Sequence, residues 1–471
     1  MLFTSAQYLF FYISILILSW LLVPMPKVRL WTILLASFYF YWSNNGWVIL
    51  LLFACMQIDF VAARLIESST SIVRKRMLLT LSMGTNLGML AFFKYFNFFC
   101  GSCTEMMQLL GVHSSWHPWN IILPVGISFY TFESMSYTID VYRGEIKAEK
   151  SWSRFALFVA YFPHLIAGPI LRPHQFIPQM DKCPQLNLEK LESALFMIAQ
   201  GLIKKVVLAD FLSSYADKAF NNPAGVDVLG AWLGVLAFTF QIYYDFSGYT
   251  DVAIGCARLM GFELPINFNR PYASASITEF WRRWHISLSS WLRDYLYIPL
   301  GGSRMKTTFG VFRNLIITML LGGLWHGAAW HFVLWGAFQG LFLVFERAFK
   351  LETNADDPQN RFVLTLARQL GTFVLVTFSW MIFRIDNVVA LGQLMRSMVL
   401  GPTSCTVTNG TLIATAIISL GLIMQLWDKD KVQRVFLELP ITIKGAAYAG
   451  LSVLILACTS EIAKPFIYFQ F

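Results

Sequence analysis

Charge is what this sequence has least of. Only 13% of its residues are Asp, Glu, Lys or Arg, where a soluble domain carries about 25%. With 56% hydrophobic residues and a mean hydropathy of +0.57, the chain cannot cover its core with solvated side chains. Lipid must therefore face much of its surface. Cysteine is sparse and scattered: Cys100 and Cys103 form a lone C-x-x-C, with no further ligand spaced for a metal nearby. We read them as apolar fillers and expect no metal site. The sequence has no Gly-rich phosphate loop, no H-E-x-x-H and no G-x-S-x-G, which removes three common chemistries. No basic block stands outside a hydrophobic context, so the net charge of +9 reads as loop charge that orients spans. Nucleic acid is not an expected partner.

What is present is aromatic and apolar: 42 Phe, 18 Tyr and 16 Trp, in runs long enough to cross a bilayer. Candidate spans lie near 6–23, 30–43, 47–66, 77–99, 121–139, 152–170, 191–208 and 228–244. Two more lie within 314–345, and others at 362–383, 409–427 and 441–460. The run from Tyr8 to Val23 has no preceding basic segment or cleavage site, and reads as a retained span. The expected fold is all-α and polytopic, with about 11–13 spans. We divide it into peripheral N-terminal spans (1–84), a core (85–385) and C-terminal spans (386–471) of one integral-membrane domain.

Loop charge sets an orientation. Lys27 and Arg29 fall in the 24–30 connection, Arg74, Lys75 and Arg76 cluster later, and 143–154 holds four more basic residues. The intervening turn at Ser43–Gly46 and loop 100–120 hold none. The positive-inside rule then puts the N-terminus outside.

The 32 residues from Asn314 to Phe345 contain no charge. As one helix they would run about 48 Å against a hydrocarbon core of about 30 Å. The stretch must break, and Gly322, Gly323 and Gly327 are the available points. Broken backbone at membrane depth is tolerated only inside protein or beside a watery cavity.

Among the seven His, His113 and His117 fall in a loop and His164 and His174 flank Pro-rich turns, while His331 reads as structural. His326 sits within Gly322-Gly323-Leu324-Trp325-His326-Gly327, near mid-depth, where a polar group is expensive. His285 falls on a stripe with Trp281, Trp284, Leu288, Leu292 and Tyr295 if 278–295 is one amphipathic helix. A third patch runs from Gln241 to Asp251 and carries Asp245, Ser247 and Tyr249. Asp245 suits a helix cap as well as a site. A His in a confined, poorly solvated site suits removal of a hydroxyl proton for attack on an activated acyl group. Proton-coupled transport uses the same residue types.

The strings QIYYDFSGYTDVAIG (241–255), NFNRPY (267–272), TEFWRRWHISLSSWLRDYLYIPLGG (278–302) and GGLWHGAAWHFVLWG (322–336) resemble the membrane-bound O-acyltransferase superfamily. Together with PVGISFYTFESMSYTIDVYRG (124–144) and FPHLIAGPILRP (162–173), they are most similar to the membrane subunits of bacterial polysaccharide O-acetyltransferases of the alginate type. The resemblance covers roughly 85 to 385 and implies helices broken around a central tunnel. It implies that His326 is catalytic and that His285 is the second family position. It implies acetyl-CoA as a cytoplasmic donor and no permanently bound cofactor. It further implies an inner-membrane location, periplasmic acetyl-transfer partners, and a polysaccharide acceptor such as alginate or cellulose. Peptidoglycan or teichoic-acid acylation, and transport of a lipid-linked sugar without catalysis, are the alternatives. In this frame Arg282, Arg283 and Arg293 are expected near the donor's phosphates, and Asp245, Ser247, Tyr249, Trp284 and Trp325 along the tunnel.

Overall fold

The computed structural model describes residues 5–112, 116–165, 168–185, 187–351, 361–403, 407–427, 429–458 and 466–467. His113 and Cys405 lie outside the described residues. Every long element among the described residues is a helix, and the chain divides into two compact units.

The first unit holds residues 1–191 together with 256–265. Its helices are α1 (Ala6–Leu21), α2 (Pro26–Asn45), α3 (Ile49–Ser68), α4 (Ile72–Leu90), α5 (Phe96–Leu109), α6 (Ile127–Arg143), α7 (Trp152–Ala160) and the single turn α8 (Pro173–Phe176). Ser5 caps α1 by accepting from the Tyr8 amide at 3.2 Å. Pro26 opens α2 where a missing N–H costs nothing. A π-helical turn, Ala91–Tyr95, joins α4 to α5. At the centre of α3, α4 and α6 the buried Asp59 accepts from the hydroxyls of Ser82 and Ser134 and from Asn86 Nδ2.

Two sequence expectations change here. Arg29 is not a loop charge: it is buried in α2 and donates to Ser19 O at 3.1 Å and to Met260 O at 2.5 Å. It staples segment 256–265 to the helical pair α1–α2, beside the Tyr12 hydroxyl on Cys256 O and the Trp20 indole on Leu259 O. The run at 152–170 is not a span either. Its helix ends at Ala160, and Pro163, Gly168 and Pro169 continue as buried, irregular chain. The stretch is apolar because protein covers it.

The second unit holds 192–255 and 266–471. Helix α9 (Leu188–Leu202) passes through a π-helical turn, Ile203–Ala209, into α10 (Asp210–Asn221). Helix α11 (Val228–Leu259) is continuous, and every residue from Ala237 to Gly255 is buried. A helix apolar nearly all round belongs in such an interior. Two short helices follow, α12 (Ile277–Arg283) and α13 (Ile286–Leu292), and then a hairpin of α14 (Thr308–His326) and α15 (Trp330–Ala348). The chain continues through α16 (Arg361–Arg384), α17 (Val388–Leu400), α18 (Asn409–Leu426), α19 (Lys429–Leu437) and α20 (Ile441–Cys458).

Six helical stretches among the described residues are long and apolar enough to cross a membrane: Pro26–Ser68, Ile72–Leu109, Thr308–His326, Val363–Arg384, Asn409–Leu426 and Ile441–Cys458. With the apolar composition they make this a multi-pass membrane protein.

Candidate active site

The uncharged stretch breaks once, at Gly327, Ala328 and Ala329, between α14 and α15. Gly322 and Gly323 stay helical, and Gly323 serves the packing instead. A Cβ there would stand 2.2 Å from Phe332 O, and one on the facing Gly336 would stand 2.3 Å from Met319 O. Small residues let the two backbones meet. The hairpin leaves His326 as the last residue of α14, 5% exposed. Its ring lies edge-on to Trp335 at 5.1 Å and Phe383 at 5.4 Å, with Trp325 at 5.0 Å.

His285 is held differently. The stretch 278–295 is not one amphipathic helix: α12 stops at Arg283, α13 starts at Ile286, and Trp284 and His285 occupy the break, both fully buried. His285 takes a left-handed backbone, φ 45° and ψ 54°, which costs a non-glycine residue about 1–2 kcal/mol. Asn267 pins it there. Its backbone carbonyl accepts from the Ile286 amide at 2.9 Å, and its side-chain Oδ1 from the Ser287 amide at 3.1 Å and hydroxyl at 3.0 Å. Since an amide N–H can only donate, these bonds also identify Oδ1 as the oxygen. His285 Nδ1, 3.3 Å from the same atom, must then be the protonated nitrogen, which leaves the lone pair on Nε2. Burial pushes the pKa of this ring down to about 3, so it stays neutral.

Trp325 brings the two imidazoles to one place, its ring 5.8 Å from that of His285 and 5.0 Å from that of His326. Trp284 backs the site, packed on Phe268 at 5.0 Å and Trp380 at 4.9 Å.

The third patch lies buried within α11. Asp245 does not cap a helix but lies within α11, 2% exposed, 2.5 Å from Lys205 Nζ, and accepts from the Ile467 amide at 2.8 Å. Ser247 is buried beside it, and Tyr249 packs on Phe466 at 4.8 Å with Lys205 Nζ 5.6 Å from its ring. Gly201 and Gly248 set this register. A Cβ on Gly201 would meet Gly248 O at 2.6 Å, and one on Gly248 would meet Gly201 O at 2.7 Å. The close approach of α9 and α11 puts Lys204 on Asp251, at 2.6 Å, and Lys205 on Asp245.

Of the three arginines, Arg283 pairs with Glu279 at 2.6 Å and Arg293 with Asp294 at 2.7 Å. Arg282 is exposed and makes no ion pair among the described residues. Two residues that the sequence did not single out complete the frame. Glu346, near the end of α15, accepts from the Ile277 and Thr278 amides and the Thr278 hydroxyl at the start of α12, where a carboxylate is favoured. Gln339 accepts from the Trp281 indole at 3.2 Å and donates to Ser379 at 2.9 Å. In unit one, His164, placed above beside a Pro-rich turn, is buried with its Nε2 2.9 Å from Glu133.

The sequence profile described as "MBOAT, membrane-bound O-acyltransferase family" matches residues 145–389, a segment containing both histidines. The chain belongs to the membrane-bound O-acyltransferase family. It is 43% identical over 404 residues to a probable alginate O-acetylase of Pseudomonas putida, covering 84% of this chain and 80% of that one. It is 36% identical over 400 residues to a peptidoglycan O-acetyltransferase of Helicobacter pylori, covering 79% and 73%. It is 33% identical over 285 residues to a teichoic acid D-alanyltransferase of Streptococcus thermophilus, covering 55% and 68%. As a member of this family it is an O-acyltransferase, and a buried pair of imidazoles around one indole is suited to that chemistry.

Proposed function

We propose that this chain is the membrane subunit of a polysaccharide O-acetylation system of the alginate type. It would take acetyl from cytoplasmic acetyl-CoA and pass it across the bacterial inner membrane, with its N-terminus periplasmic, to the polymer or to periplasmic partner proteins. The observation that carries the reading is that the rings of His326 and His285 both contact the indole of Trp325, in a chain 43% identical to a probable alginate O-acetylase. In this reading the acceptor hydroxyl loses its proton to an imidazole as its oxygen attacks the thioester carbonyl. The C–S bond then breaks, and the sulfur leaves with that proton as the thiol. His326 is the base, and His285, neutral and fixed by Asn267, assists at the carbonyl or the acceptor. Arg282, exposed and without an ion pair among the described residues, is the most available of the three arginines for the donor's phosphates.

The test is His326→Ala, purified, checked for yield and thermal stability, and assayed for acetyl transfer from acetyl-CoA. General-base catalysis contributes about 10²–10⁴ in rate, so a stable variant should make almost no product. A stable variant that retains most of its activity overturns the assignment. Peptidoglycan is the second reading, favoured by the Helicobacter pylori relative, and offering both polymers as acceptors separates the two.

A further inference from the structure

The second unit contains a cavity of about 380 Å³ that none of the histidines, arginines or carboxylates discussed above lines. Ligand cavities run from about 300 to 1,000 Å³. Its walls are apolar: Ala199 and Ile203 on one side, Leu420 and Met424 of α18, Phe436 of α19, and Leu451 of α20. Two cations reach it. Lys204 is committed to Asp251 at 2.6 Å. Arg270 is not committed: its Nε is buried, and its guanidinium makes no hydrogen bond or ion pair among the described residues. A buried guanidinium donor left without an acceptor is costly. Like His285, Arg270 also sits in a left-handed backbone, φ 48° and ψ 58°. The hydroxyl of Tyr448, on the same lining, is a second buried polar atom without a partner.

We propose that this cavity holds the acyl chain of an anionic membrane phospholipid whose phosphate pairs with Arg270. The planar guanidinium fork suits a phosphate, and Tyr448 supplies a further donor. The source is the bilayer, because α18 and α20 are both long and apolar enough to cross it. None of the residues of α20 is buried, so the helix that closes the cavity turns its other sides to lipid. The walls are also fastened. Gln433 of α19 donates to Ser193 at 2.7 Å, and Lys444 of α20 meets Glu192 at 2.6 Å, both on α9. A soluble donor carrying several phosphates would find one uncommitted cation here. Arg270 lies three residues after Asn267, on the loop that pins His285, so the lipid would brace the catalytic loop from behind.

The experiment reconstitutes the full chain in phosphatidylcholine nanodiscs with and without phosphatidylglycerol, and measures retained lipid by native mass spectrometry. Wild type should retain phosphatidylglycerol in preference to phosphatidylcholine. Arg270→Gln should lower that preference about tenfold and leave phosphatidylcholine retention unchanged. Ala199→Phe, which fills the apolar end, should lose retained lipid of both kinds, and it decides the matter if Arg270→Gln does not fold. Equal retention of the two lipids by wild type overturns the proposal, as does an unchanged preference in Arg270→Gln or undiminished retention of both lipids in Ala199→Phe. So does displacement of the lipid by inorganic phosphate or by acetyl-CoA, which would make the cavity a free-phosphate or donor site. No readout uses acetyl transfer, so the result is independent of the proposed reaction.

Discussion

Asn267 Oδ1 stands 3.3 Å from His285 Nδ1 while it accepts from both the amide and the hydroxyl of Ser287. Asn267 thus sets the tautomer of a candidate catalytic residue through its side-chain oxygen and, together with its backbone carbonyl, holds that residue's unusual backbone. Asn267→Ala should lower acetyl transfer by about 10–100-fold, the usual loss when a positioning partner of a functional His is removed. Nitrogen NMR of labelled His285 should show the Nδ1–H tautomer in wild type and a tautomer mixture in the variant. A merely structural Asn267 would leave the tautomer unchanged in whatever variant protein folds.

Lys205 meets Asp245 at 2.5 Å and Asp210 at 2.8 Å, with the Lys205 and Asp245 side chains only 4% and 3% exposed. Breaking a buried pair from one side costs about 3–5 kcal/mol, because the other charge is stranded. Lys205→Met should therefore unfold at markedly lower temperature in detergent than wild type. The double variant Lys205→Met with Asp245→Asn should recover much of that loss, since it strands less charge. Equal stability of Lys205→Met and wild type would contradict the role given to the pair.

Gly201→Ala or Gly248→Ala should separate α9 from α11, because each new methyl would collide with a carbonyl of the other helix. Overpacking of this kind costs about 1–3 kcal/mol. Gly371→Ala in α16 is the control: nothing lies within 4 Å of its Cβ position, and alanine is the better helix former by about 1 kcal/mol. Thermal unfolding of the three variants should order them Gly371→Ala, wild type, then the two helix-contact variants.

The parts legible in the sequence are those whose environment repeats along the chain. The expected spans 362–383, 409–427 and 441–460 correspond to Arg361–Arg384, Asn409–Leu426 and Ile441–Cys458, because a helix that faces lipid stays apolar from end to end. The segment 152–170 has the same composition, but it is buried by protein, and hydropathy does not tell the two solvents apart. The stripe through 278–295 fits a helix, and its break is invisible because the left-handed residue is His285 rather than a glycine. Arg29 looks like a loop charge because one of its acceptors, Met260 O, is 231 residues away in sequence. His326 and His285 stand out as polar groups in apolar surroundings. Asn267 lies in irregular chain with no periodicity to mark it, and Glu346 looks like the first charge beyond a span.

Glu346 has a mechanical consequence. It rides on the hairpin that ends α14 at His326, and its carboxylate grips the start of α12, the short helix that runs from Ile277 to Arg283 into the break carrying His285. Gln339 makes a second rivet between the same two parts through Trp281. The histidine-bearing pieces are thereby clamped into a single jig, and the spacing of the two imidazoles becomes a fixed dimension of the protein. A motion that spared these contacts would leave the two histidine-bearing pieces joined.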